Sequence, residues 1–422
     1  MGFLRIPLFL ILLIIIQVYT YKRNKEILKT KLPNATAPLF LLKLAYVIFN
    51  IFPFFWVSQL ILRFTGVITS FYNPKNMYFD YLMIYPFWLV FILMIQLLPF
   101  YLLSDGVRLV IKKWFRTKLD VFTNYQYSFL LTILCVFLVY IPARSIYDDH
   151  AINVHELTHE ISNLHPDLEN LKIVLISDIQ ADYYTDKKRL GEYVKEVNSE
   201  NADLIFIAGD MITNTPDYID LAGEVIGKLQ AKYGVYACAG DHDHWAYPTR
   251  SHSSFQRSLS DIKASLEKGN VPVLINENHH ISVNKATVKL TATDQNYAYR
   301  QIDREMLDSL TRSGNEQAEL KLFLNHQPNQ DLIDKAKQYD YDIFLTGHTH
   351  GGQIVFWYPP FFKLSGSTFE TPYIKGHYFV DDLLVAVSAG LGVSIAPIRY
   401  NATPEIVSIR LTSGNRLLAK TN

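Results

Sequence analysis

Five short apolar runs between residues 172 and 348 each end in a carboxylate or a histidine. The runs are KIVLISD, DLIFIAGD, GVYACAGD, LKLFLNH and YDIFLTGH, and they end at Asp178, Asp210, Asp241, His326 and His348. Continuous apolar runs of this length are typical of buried strands, and open α/β sheets bind ligands at the carboxyl ends of their strands. The five side chains are therefore predicted to converge at one place, where they could bind metal ions.

Helical patterns separate these runs, at residues 187–199, 217–232, 254–268, 303–313 and 328–338. After Gly351 the chain becomes strand-rich, with the segments VFWY, HYFVD, LLVAVSAG and EIVSIRL. Strands that alternate with helices indicate an α/β fold, and the added strands favour two sheets. We predict two mixed sheets packed face to face with helices outside, a four-layer α/β/β/α sandwich.

A chain of 422 residues is long for one core, because cores usually stop growing near about 250–300 residues. The first third is rich in Phe, Leu and Ile, with apolar segments at residues 3–19, 39–62, 81–103 and 128–143. A membrane-spanning helix needs about 20 such residues. We predict an all-α transmembrane region of about four helices at 1–146, a linking segment at 147–170 and a catalytic domain at 171–422. The first segment also resembles a signal peptide, but it lacks a small-residue cleavage site, which favours a retained helix.

Lysine and arginine are unevenly distributed among the loops of this region. Each of two loops carries five of them, Lys22, Arg23, Lys25, Lys29 and Lys31 in the first and Arg108, Lys112, Lys113, Arg116 and Lys118 in the third. The second loop carries only Arg63 and Lys75. Positively charged loops stay in the cytoplasm, so we expect a multi-pass protein of the cell membrane with its catalytic domain extracytoplasmic. The apolar segments show no cluster of Asp and Glu, which argues against a transporter.

The charge balance limits the class of partner. Lys plus Arg and Asp plus Glu both number 40, so the whole chain has no basic excess with which to bind nucleic acid. The apolar segments make the lipid bilayer an expected partner. Two cysteines, Cys135 and Cys238, do not provide a disulfide framework.

The residues around the five strand ends form ordered motifs: Asp178-Ile-Gln180, Gly209-Asp210, Gly240-Asp241-His242-Asp243, Asn325-His326 and Gly347-His348-Thr349-His350. This series resembles the motifs of the calcineurin-like metallophosphoesterase superfamily, over roughly residues 171–411. The extension Gly351-Gly352-Gln353 and the later Gly390-Leu391-Gly392 are similar to its membrane-attached bacterial branch. The resemblance implies the same four-layer sandwich and a metal-dependent phosphoester hydrolase, whose partner would be a phosphorylated small molecule or lipid.

The resemblance also implies roles for individual residues. Two divalent ions would share the carboxylate of Asp210. One ion would take Asp178, Gln180 and His350, and the other Asp241, His326 and His348. His242 would protonate the leaving oxygen, and Asp243 would orient His242 through a hydrogen bond to a ring nitrogen.

Two of these positions depart from the superfamily pattern. Gln180 replaces the usual histidine and Asp241 replaces the usual asparagine, so both sites gain oxygen ligands. Harder ligands favour manganese, with iron and zinc as alternatives. The expected activity is that of a membrane-anchored phosphodiesterase acting on an envelope or lipid-linked phosphate. An Asp-x-Gln motif also resembles manganese-dependent ADP-ribose and CDP-alcohol diphosphatases, which leaves a nucleotide-linked pyrophosphatase as an alternative. An inactive membrane scaffold that retains the fold is the other alternative.

Three further features of the sequence could contribute to function. The segment HELTHE, from His155, has the letters of a zinc-protease helix, but alternating apolar residues favour a strand. His244 and Trp245 are candidates for lining the substrate pocket. Arg399 is expected to form a surface ion pair.

Overall fold

The computed structural model describes residues 5–68, 74–247, 249, 251–294, 304–314, 317–358 and 362–414, without the side chains of residues 5–9 and 357. The chain divides into two compact units. The first unit contains Met1–Tyr147 together with Phe356–Lys363, and the second contains Asp148–Val355 and Leu364–Asn422. The predicted division at residues 146 and 171 remains a proposal about independent domains.

The first unit is built from long apolar helices. They are α1 (Arg5–Lys31), α2 (Thr36–Phe64), the short α3 (Met77–Phe79), α4 (Tyr85–Trp114) and α5 (Leu119–His150), whose last three residues belong to the second unit. Among the residues that the structure describes, three helical stretches are long and apolar enough to cross a membrane: Thr36–Phe64, Met77–Trp114 and Arg116–His150. The first predicted segment, 3–19, lies partly outside the described residues, so its role as a span stays a prediction.

Charged side chains meet where α1, α4 and α5 pack, and one of them is buried. Arg23 is buried and forms ion pairs with Asp105 on α4 and with Glu26 on α1, each at 2.5 Å. Arg108 on α4 donates to the hydroxyl of Tyr127 on α5 at 3.0 Å. Glu26 and Asp105 lie outside the apolar segments 3–19 and 81–103, so the expectation that these segments hold no acidic cluster stays a prediction. The buried cation of Arg23 is thus balanced by two carboxylates, as a charge taken out of water requires.

The second unit contains two six-stranded sheets. The strands of the chain, in order, are β1 (Asn153–Ser162), β2 (Lys172–Ile176), β3 (Leu204–Ala208), β4 (Val235–Cys238), β5 (Val273–Leu274), β6 (Glu277–Val283), β7 (Ala286–Thr293), β8 (Leu320–Asn325), β9 (Ile343–Thr346), β10 (Phe356–Tyr358), β11 (Phe362–Leu364), β12 (Gly376–Val380), β13 (Leu383–Val387) and β14 (Glu405–Gly414). One sheet has the order β1-β14-β2-β3-β4-β5 and the other β12-β13-β9-β8-β7-β6, while β10 pairs only with β11. The five predicted runs are β2, β3, β4, β8 and β9, so those predictions are confirmed.

The sheets pack face to face with helices on both outer sides. A buried cluster that includes Ile173 and Phe206 of the first sheet and Leu322 of the second fills the space between them. The outer helices are α6 (Lys187–Ser199), α7 (Ile219–Ile226) and α8 (His252–Glu267) on the first sheet, and α9 (Arg304–Arg312) and α10 (Gln330–Gln338) on the second. The predicted α/β/β/α sandwich is confirmed, and α7 is shorter than expected because the chain enters it through a 3₁₀ turn, Pro216–Tyr218.

The segment HELTHE lies in β1, which pairs in parallel with β14. Residues four apart in a strand lie about 13 Å apart along it. His155 and His159 therefore cannot bind one ion in the manner of a zinc-protease helix, and that reading is excluded. The strand that the alternating apolar residues favoured is confirmed.

Candidate metal centre

The carboxyl ends of the two sheets bring the motif residues together. β2, β3 and β4 are adjacent and parallel in one sheet, and β8 and β9 are adjacent and parallel in the other. The chain turns sharply after these strands, and Asp178, Gln180, Asp210, His348 and His350 all have positive φ between 49° and 72°. Non-glycine residues take this left-handed conformation at a cost of order 1–3 kcal/mol, and such residues cluster at functional sites.

Two overlapping groups of side chains could each hold a metal ion. Asp241, His326 and His348 place one ligand atom each within 4.8 Å of one another, and so do Asp178, Asp210 and His326. The Nε2 atom of His326 lies 3.2 Å from Asp210 Oδ2 and 3.1 Å from Asp241 Oδ1. His326 thus belongs to both groups, whereas the resemblance assigned it to one ion and gave the shared position to Asp210.

The remaining two predicted ligands lie at the same place. His350 Nε2 is 3.3 Å from Asp178 Oδ1, and Gln180 Nε2 donates to Asp210 Oδ2 at 2.9 Å. All seven predicted ligands are therefore joined through contacts of 3.4 Å or less, which include His348 Nδ1 with Asp241 Oδ1 at 3.4 Å. Their common role as ligands remains a proposal.

Several buried polar atoms at this place have no hydrogen-bond partner among the described residues. They are Asp178 Oδ1, Gln180 Oε1, Asp241 Oδ1 and His350 Nδ1. A buried polar atom without a partner costs about 1–3 kcal/mol, so such a set needs an explanation. Carboxylate oxygen, amide oxygen and imidazole nitrogen are all ligands of divalent transition metals, and the residues therefore fit bound metal ions.

Hydrogen bonds at the outer side of the ring fix two of the histidines. Nδ1 of His326 lies 2.7 Å from the carbonyl oxygen of Ala208, so this nitrogen carries the proton and Nε2 is left to bind a metal. Nε2 of His348 lies 3.0 Å from Glu370 Oε1, which leaves Nδ1 facing Asp241. Glu370 was not identified from the sequence, because nothing in its local pattern relates it to a histidine 22 residues earlier.

The electrostatic state of the site favours cations. Burial acts to raise the pKa of Asp241, but the nearby imidazoles of His326 and His348 outweigh it and hold this pKa well below its ordinary value. Burial acts to lower the pKa of His326, but the carboxylates of Asp210, Asp241 and Asp178 raise it well above the ordinary value. Burial and the positive charge of Arg399 lower the pKa of His350, which keeps this imidazole neutral and able to bind a metal.

His242 lies beside this cluster. Its backbone N–H donates to Asp210 Oδ1 at 2.9 Å, its Nδ1 donates to the carbonyl oxygen of Thr213, and its Nε2 lies 3.3 Å from Ser394 Oγ. Burial acts to lower the pKa of His242, but the charges of Asp210 and Asp241 outweigh it and raise this pKa. A histidine held in this way can donate a proton.

The predicted hydrogen bond between Asp243 and the His242 ring is wrong. Asp243 is fully buried, and its carboxylate accepts hydrogen bonds from backbone N–H groups of Gly240 and Asp210 at 2.8 Å and of Met211 at 2.9 Å. These amides lie in the turns after β3 and β4, and they donate to the Asp243 carboxylate in place of the His242 ring. Asp243 therefore positions the turn that carries Asp210, and the Thr213 carbonyl holds the His242 ring.

The structure gives the degree of burial of three further residues that the sequence singled out. His244 is fully buried, and its Nε2 lies 2.7 Å from Asp294 Oδ1, so its role in lining the substrate pocket stays a prediction. Trp245 is half-buried, with its ring 5.2 Å from the ring of His242. The expected surface ion pair of Arg399 is wrong, because this side chain is fully buried and donates to the carbonyl oxygens of Gly390, Gly392 and three other residues.

Comparison with known proteins gives the same family that the motifs resemble. Residues 171–352 match the calcineurin-like phosphoesterase family. A metallophosphoesterase of Caenorhabditis elegans is 29% identical over 58% of this chain and 48% of its own length, so the match spans about half of that relative. An uncharacterized metallophosphoesterase of Bacillus subtilis is 28% identical over 64% of this chain and 88% of its own length. A Bos taurus transmembrane protein with a metallophosphoesterase domain is 26% identical over 60% of this chain and 55% of its own length. With the ligand groups at its strand ends, the region 171–352 is therefore identified as a calcineurin-like phosphoesterase domain.

Proposed function

We propose that the chain is a membrane-anchored phosphodiesterase that uses two divalent metal ions. The observation that carries the proposal is the pair of overlapping ligand groups, in which Asp178, Asp210 and His326 adjoin Asp241, His326 and His348. Asp178, Gln180 and His350 would hold one ion, and Asp241, His326 and His348 the other, with Asp210 between them. When bound, two such ions neutralise phosphate oxygens and lower the pKa of a water molecule.

The side chains around the ligands have separate tasks. His242 donates a proton to the leaving oxygen, and its hydrogen bond to the Thr213 carbonyl keeps Nε2 directed towards Ser394. Glu370 orients His348, and Asp243 holds the backbone of Asp210 in place. This division leaves one titratable group, His242, next to the reacting atoms without a ligand role.

The substrate class is proposed to be an amphiphilic phosphodiester, such as a lipid-linked phosphate. Phe369 and Ile395 expose 82% and 91% of their surface, which is unusual for side chains of this size. Phe369 precedes Glu370, which contacts His348, and Ile395 follows Ser394, which contacts His242. Apolar side chains next to both sides of the metal ligands suit a substrate with an apolar group near its phosphate.

The proposed metal is manganese. Gln180 and Asp241 supply oxygen where the superfamily pattern has a nitrogen ligand or a neutral amide, and oxygen ligands favour manganese over zinc. Metal-depleted protein is expected to bind manganese with two equivalents and to regain more activity with manganese than with zinc. Greater recovery with zinc, at equal occupancy measured by mass spectrometry of the metals, would refute the preference.

The location is proposed to be the cell membrane, with several passes and the catalytic unit outside the cytoplasm. Three helices of sufficient length and apolar composition support membrane anchoring, and the lysine-rich loops support the orientation. Protease added to intact cells should cleave the second unit. Cleavage only after the membrane is opened would reverse the orientation without affecting the proposed chemistry.

The activity is tested with a panel of substrates and the full chain in detergent. Aryl and lipid phosphodiesters, phosphomonoesters and nucleotide-linked pyrophosphates are compared with added manganese. Asp210→Ala should abolish turnover, whereas Asp220→Ala, at an exposed position, should not. Full activity of the Asp210 variant would refute the proposal. Turnover restricted to the pyrophosphates would support the diphosphatase alternative, suggested by the Asp178-Ile-Gln180 motif.

A further inference from the structure

A groove of about 880 Å³ runs between α1 and α2 in the first unit. Its walls are one face of each helix, with lining residues at 17, 18, 21, 22 and 25 of α1 and at 43, 46, 47, 50, 51 and 54 of α2. Residues three and four apart share a helix face, so the spacing on both helices is that of a continuous surface. The volume lies in the range of pockets that bind small molecules.

One part of the groove is basic. Lys22 and Lys25 of α1 and Lys43 of α2 line it, and no Asp or Glu does. None of these lysines forms an ion pair with a described residue, and Lys25 Nζ lies 5.9 Å from the ring centre of Tyr21. The surrounding sequence strengthens this charge, because residues 1–146 contain 15 Lys and Arg but only 4 Asp and Glu. The groove therefore attracts an anion.

The other part of the groove is apolar and open. Val18 of α1 and Val47, Ile51 and Phe54 of α2 line it, and Phe54 exposes 73% of its surface. Phe54 follows Lys43 by eleven residues, which corresponds to about 16 Å along the helix axis. A ligand that fills the groove would thus have a negatively charged end and an apolar end separated by a distance typical of an acyl chain.

The two walls are held together without a ligand. The hydroxyl groups of Thr20 on α1 and Tyr46 on α2 lie 2.8 Å apart, within hydrogen-bond distance. The rings of Tyr21 and Tyr46 meet edge to face with centroids 5.1 Å apart. These contacts fix the spacing of the helices, and a groove formed in advance binds at a lower entropic cost.

From this charge complementarity we propose that the groove binds one anionic phospholipid, with the phosphate at Lys22, Lys25 and Lys43 and an acyl chain along Val18, Val47 and Phe54. The inference rests on the membrane anchoring proposed above, but not on the phosphoesterase activity. Basic pockets between membrane helices suit anionic headgroups, and each lysine is expected to contribute about fivefold to the affinity.

The proposal is tested with the full chain in detergent, titrated with phosphatidylglycerol or phosphatidylcholine and observed by native mass spectrometry. The wild type should retain phosphatidylglycerol preferentially. Lys22→Gln/Lys43→Gln keeps the side-chain length, removes two charges and should weaken phosphatidylglycerol binding by about 10–30-fold. The control Lys112→Gln/Lys113→Gln removes two charges from the last turn of α4, outside the groove, and should leave the affinity unchanged.

Three results would overturn the proposal: equal retention of both lipids, equal loss of affinity in both double variants, or a dimer that the Lys22/Lys43 variant dissociates. The last result would assign the groove to a second copy of the chain. Membrane association and phosphodiester turnover, measured on the same variants, should equal the wild-type values. A wild-type chain that does not associate with membranes would instead contradict the anchoring, and one without phosphodiester turnover would contradict the activity.

Discussion

Arg399 is expected to be a major determinant of the stability of the catalytic unit. Its side chain is fully buried and donates six hydrogen bonds to the carbonyl oxygens of five residues, His350, Ala389, Gly390, Gly392 and Ala402. Three of these carbonyls, those of Ala389, Gly390 and Gly392, lie in the segment after β13, and the carbonyl of His350 belongs to a predicted metal ligand. The guanidinium group thus joins backbone segments that the two sheets bring together but do not pair.

Arg399→Lys keeps the positive charge but reduces the available donors to three. At least three of the six hydrogen bonds are then lost, at about 0.5–1.5 kcal/mol each. The carbonyls of His350 and Gly390 keep a second donor, the backbone N–H of Gln353 and of Glu405. The free energy of unfolding should therefore fall by about 1.5–4.5 kcal/mol. With a denaturant dependence of roughly 3 kcal/mol per molar, the urea midpoint should fall by roughly 0.5–1.5 M.

The assay is urea unfolding of the metal-loaded full chain in detergent, followed by proteolysis of the catalytic unit at each urea concentration. Arg410→Lys is the matched control, because Arg410 is exposed on β14 and should change the midpoint little. A change of less than about 0.5 kcal/mol for Arg399→Lys, the range of ordinary surface substitutions, would refute the reasoning.

The other predictions concern the metal centre. His242→Gln should reduce kcat for an alkyl phosphodiester by about 10²–10⁴-fold and reduce it less for an aryl ester, whose leaving group needs no proton; equal losses on both esters, measured in steady-state assays, would contradict a proton donor. Glu370→Gln removes the carboxylate that orients His348 and should weaken manganese binding by about 10–100-fold in titration calorimetry, with kcat retained at saturating metal. Gln180→His should raise the ratio of zinc-supported to manganese-supported activity, and an unchanged ratio would remove the role assigned to the amide oxygen.

Matched variants separate these effects from general damage. His252→Gln and Glu267→Gln alter exposed residues of α8 and should leave turnover and metal affinity at the wild-type values. If Glu370→Gln and Glu267→Gln weaken manganese binding equally, the contact with His348 does not orient this histidine.

The strand ends could be predicted from the sequence because their signal is local. An apolar run and the carboxylate or histidine that follows it lie within about eight residues, and the two-sheet fold then brings these short segments together. Asp178, Asp210 and His326 were found in this way, and one ligand atom of each lies within 4.8 Å of the others. The layered fold followed from the same alternation of strands and helices.

The contacts that orient the ligands could not be predicted, because they join positions without a local pattern. Glu370 reaches His348 after a segment of 22 residues that includes β10 and β11. Asp243 has the motif position of a carboxylate that orients a histidine, but its oxygens accept hydrogen bonds from backbone amides of neighbouring turns instead. The ion pair between Arg23 and Asp105 spans 82 residues, and hydropathy reveals only that both helices are apolar.

The most direct test of the two-metal centre is manganese titration of the metal-depleted full chain, followed by electron paramagnetic resonance. Two ions that share Asp210 should lie about 3.5–4 Å apart, as in other two-metal sites. The account predicts saturation at two manganese ions per chain with the spectrum of an exchange-coupled pair, lost in Asp210→Ala. Saturation at one ion, or two ions with the spectrum of isolated manganese, would contradict it.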